Sequence, residues 1–528
     1  MQGVTVIPGT ATNDIRRRSA AHASNIRRTI GGVLLALACL GILMELSERF
    51  DPVPVLAILV MGAAGLAMLM RPELATLVTI FLLYVNAPAI LTQQHDMPEF
   101  VAGAFILLLG LPIVQFLVSR RQSLRTDNTF VLMIAFLGTV ILSSLEAVDV
   151  GIAMSRVIGF VLEGLLLYWL VINAIRHLAT LRRVVWILLL AGGLVSTLCL
   201  YQDLTGSYDQ EFGGLAYRNY DPARDGFVDR DREKRGKFDR AQGPVNEPNR
   251  FAQIMIVLLP LGAYLHRTSR SPLQRLSVAS LSVLILIGIA LTLSRGAIVA
   301  LVFMAVALVR LKWFRGTWVL LGTGLAILLV PLITPFYLDR VNSLANVVYL
   351  FDHDEEAQQT DGAMRGRATE MLAAFNVFRD HPILGVGPGQ FAPFYVLPYS
   401  QNPDIQFREL RGARRAHTLY LELAAENGLV GLLVFMTIVV LVIRKLWIAR
   451  RRWRFDRPDL SDLATACCLS LVAYLWTAIF LHLSYQRYYW FLLAFSGAAL
   501  HIADAARHRR AGREAIEEGR RSACGPSR

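Results

Sequence analysis

The chain has 528 residues, of which 55% are hydrophobic and only 18% charged, and its mean hydropathy is positive. One soluble core cannot hide that much apolar surface, so soluble globular and disordered classes are excluded and a bilayer must cover the excess. The formal net charge of +13 would suit a nucleic-acid binder, but the basic residues sit between apolar runs, where cytoplasmic anchoring explains them, and no nucleic acid is expected as a partner.

Residues 1–29 form a basic tail with Arg16, Arg17, Arg18, Arg27 and Arg28. The apolar run that follows reads as an anchoring helix and not a cleavable signal, which keeps the N-terminus cytoplasmic. A helix needs about 20 apolar residues to cross roughly 30 Å of hydrocarbon. Runs of this kind fall near 30–46, 53–70, 73–92, 99–119, 129–147, 151–175 and 183–204, an N-terminal transmembrane bundle over 30–205. Further runs fall near 249–266, 276–293, 296–311 and 317–338, within a group spanning 249–338, and near 428–444, 462–482 and 487–503, a C-terminal group over 428–503. A basic tail, 504–528, closes the chain. The expectation is an all-α membrane protein of about 12 to 14 transmembrane helices.

Starting from a cytoplasmic N-terminus, 32 of the 53 Lys and Arg fall on inner segments, while the short outer turns hold only Arg49, Arg156, Arg295 and Arg487. That bias fits the positive-inside rule and puts both termini inside. Two long segments, 206–248 and 339–427, then lie on the outer face, where loops of that size largely escape the rule.

The 206–248 loop mixes signs, and its 225–240 stretch reads as solvated. Its end, "GPVNEPNRFA", sets Asn246, Asn249 and Arg250 where an apolar helix re-enters the membrane, so Asn249 and Arg250 are candidate substrate-binding residues. The 339–427 loop opens on an acidic linker around Asp352 to Glu356 and is expected to contain short helices. Within "GRATEMLAAFNVFRD", Met371, Leu372, Phe375 and Phe378 space out as one apolar helix face, and His381-Pro382 ends the helix. "GVGPGQF" then supplies glycines for a tight turn and a close backbone approach.

Arg408, Arg411, Arg414 and Arg415 lead into His417, and the apolar stretch beyond carries Glu422, Glu426 and Asn427. Ionisable groups are costly against lipid and face a protein interior or a watery cavity, so these residues line a site. Arginine stays charged and binds phosphate oxygens through paired hydrogen bonds; histidine accepts a hydroxyl proton near neutral pH. On residue type alone, His417 serves equally as an interfacial histidine pinning a helix end, Arg295 as a snorkelling arginine, and the arginine cluster as a lipid-headgroup contact. The five cysteines form no disulfide framework, and adjacent Cys467-Cys468 lacks metal-site spacing, so no metal is expected.

Three segments, "LTLSRGAIVALV", "HPILGVGPGQF" and "AHTLYLELAAENGLVGLLVF", resemble in this order the O-antigen ligase and O-antigen polymerase (Wzy-type) superfamily. The resemblance covers about residues 245–445. It implies a multipass glycosyltransferase of the bacterial inner membrane, free of metal and cofactor, that takes glycan from undecaprenyl pyrophosphate at the periplasmic face with inversion. Matching motif to motif, it implies that Arg295 and Arg367 hold pyrophosphate and that His417 activates the acceptor. Arg411, Arg414, Arg415 and Glu422 join Asn249 and Arg250 as substrate-binding candidates. Two departures stand out: Met371 occupies a place where many members have tryptophan, and the chain has about two spans more than the usual twelve of the ligases.

The implied partners are an undecaprenyl-pyrophosphate-linked glycan donor, a lipid- or glycan-linked acceptor, membrane lipids and other polysaccharide assembly proteins. The extra spans and the long 206–248 loop favour polymerisation of oligosaccharide repeats into exopolysaccharide or O-antigen; the alternative is a ligase that moves the glycan to lipid A core. A flippase for the same lipids is the reading from another class. It expects ionisable residues at the bilayer midplane, whereas here, Glu163 apart, they gather at outer helix ends.

Overall fold

A computed structural model describes residues 65–94, 106–218, 240–313, 362–410, 412–482 and 486–523. Several expectations lie outside these residues: the basic N-terminal tail, the spans at 30–46 and 317–338, most of 53–70, the first part of 99–119, the stretch at 225–239, the acidic linker and Arg411. The chain divides into two compact units, Met1–Leu74 and Ala75–Arg528. Of the first, residues 65–74 are described and are helical on both sides of Arg71.

The second unit is all helix among the described residues, with one isolated bridge between Tyr217 and Gly243. In chain order the helices are α1 (Pro72–Tyr84), α2 (Ala87–Gln94), α3 (Gly110–Val118), α4 (Asn128–Ser143), α5 (Val150–Phe160), α6 (Leu167–Ala174), α7 (Leu178–Thr205), α8 (Pro248–Ile256), α9 (Leu258–Thr268), α10 (Pro272–Leu291), α11 (Arg295–Arg310), α12 (Gly362–Asp380), α13 (Val396–Ser400), α14 (Leu419–Arg452), α15 (Pro458–Thr477) and α16 (Gln486–Ala523). A π-helical turn, Val161–Leu166, joins α5 to α6.

Seven helices among the described residues are long and apolar enough to cross a membrane: Asn128–Glu146, Val150–Ala174, Leu178–Thr205, Pro272–Leu291, Leu419–Arg452, Pro458–Thr477 and Gln486–Ile516. The bounds of Asn128–Glu146 and Val150–Ala174 follow the apolar runs at 129–147 and 151–175, whereas Leu419–Arg452 and Gln486–Ile516 extend well beyond the runs at 428–444 and 487–503. Other expected spans are shorter or interrupted. The run at 249–266 is two helices meeting at Val257, whose freed carbonyl oxygen accepts from Ser470 Oγ at 2.7 Å. The run at 73–92 breaks at Asn86, where φ is +62°. The run at 296–311 is the 16-residue α11.

Large aromatics fill the bundle interior: the Phe160 and Trp490 rings lie 5.0 Å apart, Phe136 and Phe160 5.2 Å, and Phe435 and Tyr489 5.4 Å. Small residues bring α7 and α10 together, since a Cβ on Gly193 would meet Leu281, and one on Gly288 would meet Ser196. On the outside, Val131, Ile141, Val302, Leu433 and Val440 are apolar and exposed, as a lipid-facing surface requires.

Residues 362–410 hold the short helices expected there and build a small core of their own around Ala373, Ala374, Val377, Val386, Phe391 and Val396. The buried face of α12 runs through Thr369, Glu370, Ala373, Ala374 and Val377, whereas Met371, Leu372 and Phe378 are half-buried and Phe375 is exposed. Small side chains lie inward because α12 packs closely against the start of α14, which leaves no room for the larger ones.

Candidate functional site

The site is built on a break in α14. At Gly428 the backbone takes φ +64° and ψ −169°, a region open to glycine alone, so residues 419–427 form a separate half-helix ahead of the long span. The break leaves backbone groups without helical partners, and the turn after α12 supplies them. Val386 N–H donates to Ala425 O (2.9 Å) and Gly387 N–H to Glu426 O (3.0 Å), while Leu429 N–H donates to Pro382 O (2.8 Å). A Cβ on Gly428 would lie 2.1 Å from the Ile383 carbonyl oxygen, and one on Gly385 2.5 Å from the Glu426 backbone. Of the glycines of "GVGPGQF", Gly385 approaches the broken helix, while Gly387 and Gly389 approach Ala147 and Arg156.

This clamp sets α12 beside residues 412–418. His417 stands just ahead of the half-helix with φ at +50°, a conformation few non-glycine residues adopt. Bonds on either side hold it there: Ala416 N–H donates to Glu422 Oε2 (3.1 Å) and Leu419 N–H to Ala478 O (3.0 Å). The His417 side chain is 24% exposed, and its Nε2 lies 3.4 Å from Oε2 of Glu370, a carboxylate only 1% exposed. Arg414 Nη1 lies 3.7 Å from the other oxygen of Glu370.

Burial pushes Glu370 up to about 7, although the charges of Arg414, Arg367 and Arg408 oppose the shift. Burial also pushes His417 down to about 3, and Arg367, Arg414, Arg250 and Arg415 reinforce it. Burial, reinforced by the arginines, thus holds His417 neutral inside a strongly positive field.

A second layer supports these groups. Glu422 takes Arg415 in a two-pronged pair, with Arg415 Nε 3.0 Å from Oε1 and 3.2 Å from Oε2. Arg250, fully buried at the start of α8, donates to Gln253 Oε1 (2.9 Å) and to the backbone oxygen of His482. The His482 ring stands 5.6 Å from that of His417, and burial with the charges of Arg415 and Arg250 holds it well below the usual histidine range. Asn249 accepts from Arg240 Nη2 at 2.8 Å, and Arg240 Nε donates to Thr292 O at 2.7 Å, just before the Ser294-Arg295-Gly296 motif.

Of the residues singled out from sequence, Arg367, Arg414, Arg415, Glu422, Arg250 and His417 come together from four separate segments. Arg295 begins α11, where its neighbour Gly296 faces the Phe480 ring two residues from His482. Asn249 is held by Arg240 at the same end of the bundle. Glu370, Gln253 and His482 were not anticipated. Glu370 lies one helical turn after Arg367, a signal that was readable; His482 and Gln253 carried none.

Beside this cluster a cleft is lined by Arg156, Arg415, Glu422 and Glu426 together with Phe136, Phe160, Leu423 and Trp490. Its lining mixes charged and apolar side chains.

No curated protein matches the chain. Residues 280–436, the stretch that contains Arg295, Arg367 and His417, match the family model described as O-antigen ligase. This match over part of a multipass membrane protein supports the O-antigen ligase and polymerase superfamily and a role in membrane glycan assembly.

Proposed function

We propose that the protein transfers a glycan from a polyprenyl-pyrophosphate carrier to a hydroxyl acceptor at the periplasmic face of a bacterial inner membrane, with inversion. The observation that carries this reading is the meeting of a neutral histidine with several guanidinium groups at the end of an apolar bundle, next to a mainly apolar cleft that also holds charged side chains. His417 takes the proton of the acceptor hydroxyl, whose oxygen attacks the anomeric carbon of the donor sugar. The bond from that carbon to the pyrophosphate oxygen breaks, and polyprenyl pyrophosphate leaves with the electron pair. Arg367 and Arg414, with Arg295, receive the negative charge that develops on the leaving oxygen.

The donor also completes the base. With the site empty, the arginines oppose the imidazolium; a bound pyrophosphate offsets their charge and lifts His417 towards a range useful for proton transfer. Glu163 does not argue for transport, since it lies 3.1 Å from Arg487 in an ion pair.

We favour polymerisation of lipid-linked repeats, on the strength of the long 206–248 segment. The ligase reading is the second, favoured by the description of the matched family. Protein in liposomes with a polyprenyl-pyrophosphate oligosaccharide and no lipid A separates them. A ladder of longer lipid-linked glycans supports the polymerase; transfer that starts only when lipid A core is added supports the ligase; no transfer under either condition removes the enzymatic reading.

A further inference from the structure

The mechanism above uses His417 and the arginines and leaves one buried ionisable group beside the base without a task. Glu370 is 1% exposed, deeper than any guanidinium around it except that of Arg250. A carboxylate buried to that degree is costly unless it is paired, yet its nearest cation, Arg414 Nη1, stands at 3.7 Å. Oε2 has no hydrogen-bond partner among the described residues; it lies 3.4 Å from His417 Nε2. On the far side of the ring, His417 Nδ1 is buried and also lacks a hydrogen-bond partner among the described residues, so an acceptor hydroxyl must displace its neighbours to reach it. The His417 backbone is fixed in a left-handed conformation, so the ring turns only about its own side-chain bonds.

Resting on the glycosyl-transfer reading, we propose that Glu370 is the positioning residue of the base: it accepts the Nε2 proton of His417 in a hydrogen bond, fixes that tautomer, and leaves Nδ1 as the atom that takes the acceptor's proton. The geometry permits one ring nitrogen to meet the carboxylate and the other to face away from it, which divides the two tasks. When Nδ1 takes up a proton, the ring becomes cationic between Nε2–H and an ionised Glu370, the one anion within 4 Å among the groups that face it. Those groups are Arg367, Arg414, Arg250 and Arg415, all of which oppose the cation, and His482, which burial holds neutral. Protonated Glu370 instead donates to Nε2, places the ring proton on Nδ1 and removes the base. The charge of Glu370, which Arg414, Arg367 and Arg408 favour and burial opposes, thus governs whether His417 is competent.

The test is Glu370→Gln and Glu370→Asp in the full-length protein in liposomes, with His417→Ala and Arg367→Ala alongside. Initial rates are measured with a polyprenyl-pyrophosphate oligosaccharide between pH 5.5 and 9. Wild-type kcat is expected to rise with pH through a limb near neutrality. Glu370→Gln is expected to lower kcat about 10- to 100-fold, with donor KM within about threefold, and to lose that limb. Glu370→Asp, which keeps the charge, recovers part of kcat and keeps a limb. Glu370→Gln with unchanged kcat and pH profile, while His417→Ala and Arg367→Ala abolish transfer, overturns the positioning role and leaves the proposed function standing. Activity that persists in His417→Ala and Arg367→Ala overturns the function itself. A loss in Glu370→Gln that Glu370→Asp does not relieve, with no pH limb in either wild type or Asp variant, assigns Glu370 to structure and also overturns the proposal.

Discussion

At the scale of single residues, the site concentrates positive charge around a buried histidine that is held neutral. Removing His417 is expected to lower kcat by about 10²- to 10⁴-fold, while Arg367→Ala is expected to lower kcat with less change in acceptor KM; steady-state rates in liposomes with varied donor and acceptor check both. The buried carboxyl beside it has a thermodynamic signature independent of activity. Because Glu370 is held up to about 7 from 4.5, the folded protein grips its proton more tightly than the unfolded chain does. Its contribution to stability is therefore full below about pH 4.5 and is lost as pH rises to about 7, a loss on the order of 3 kcal/mol. His417, held down, works in the opposite sense between about 3 and 6.5, where stability rises with pH. Glu370→Gln deletes only the first effect. The unfolding temperature of Glu370→Gln minus that of wild type is expected to be larger at pH 8 than at pH 5, and an equal difference at both values would contradict the burial argument.

At the scale of elements, the decisive feature is one helix broken in the right place. The half-helix at 419–427 exists because Gly428 leaves the helical region, and its loose carbonyls and amides are then taken up by the turn after α12. Any side chain at 428 meets the Ile383 carbonyl and must also leave a backbone region that only glycine occupies. Gly428→Ala is thus expected to destabilise by about 3 kcal/mol or more and to lose transfer activity, whereas Gly412→Ala, whose Cβ meets nothing within 4 Å, is expected to do neither. Thermal unfolding of both variants in detergent, beside their transfer rates, makes the comparison. Glu163 and Arg487 give a second test of packing. Glu163→Ala leaves Arg487 in the bundle without its 3.1 Å partner and is expected to destabilise more than Glu163→Ala combined with Arg487→Met. Equal effects would mean the pair contributes little.

At the scale of the whole molecule, the orientation read from basic residues places Ala413 outside and Arg509 inside. In a cysteine-free background, Ala413→Cys is expected to react with a membrane-impermeant maleimide in intact spheroplasts, and Arg509→Cys only after permeabilisation; both side chains are exposed, so access alone separates them. The reverse labelling would move the site to the cytoplasm and remove a periplasmic reaction. Much of the architecture was legible in the chain because a bilayer imposes one length rule on every span: the runs at 129–147, 151–175 and 183–204 became helices with nearly those bounds. The motifs around Arg295, Arg367 and His417 could be read through their resemblance to a family, and His417, Glu422 and Glu426 also as costly charges beside an apolar run. The inward face of α12 was not, because small residues and a carboxylate were buried ahead of Phe375, a choice made by the closeness of a neighbouring helix and not by hydrophobicity. By itself, the sequence determined an all-helical membrane protein and the charged residues its site would need, since bilayer thickness and desolvation act on local composition. The tertiary structure alone decided that Glu370 meets His417, that Glu422 serves Arg415, and that the glycine turn grips a broken helix, since contacts between distant segments depend on how close two backbones come.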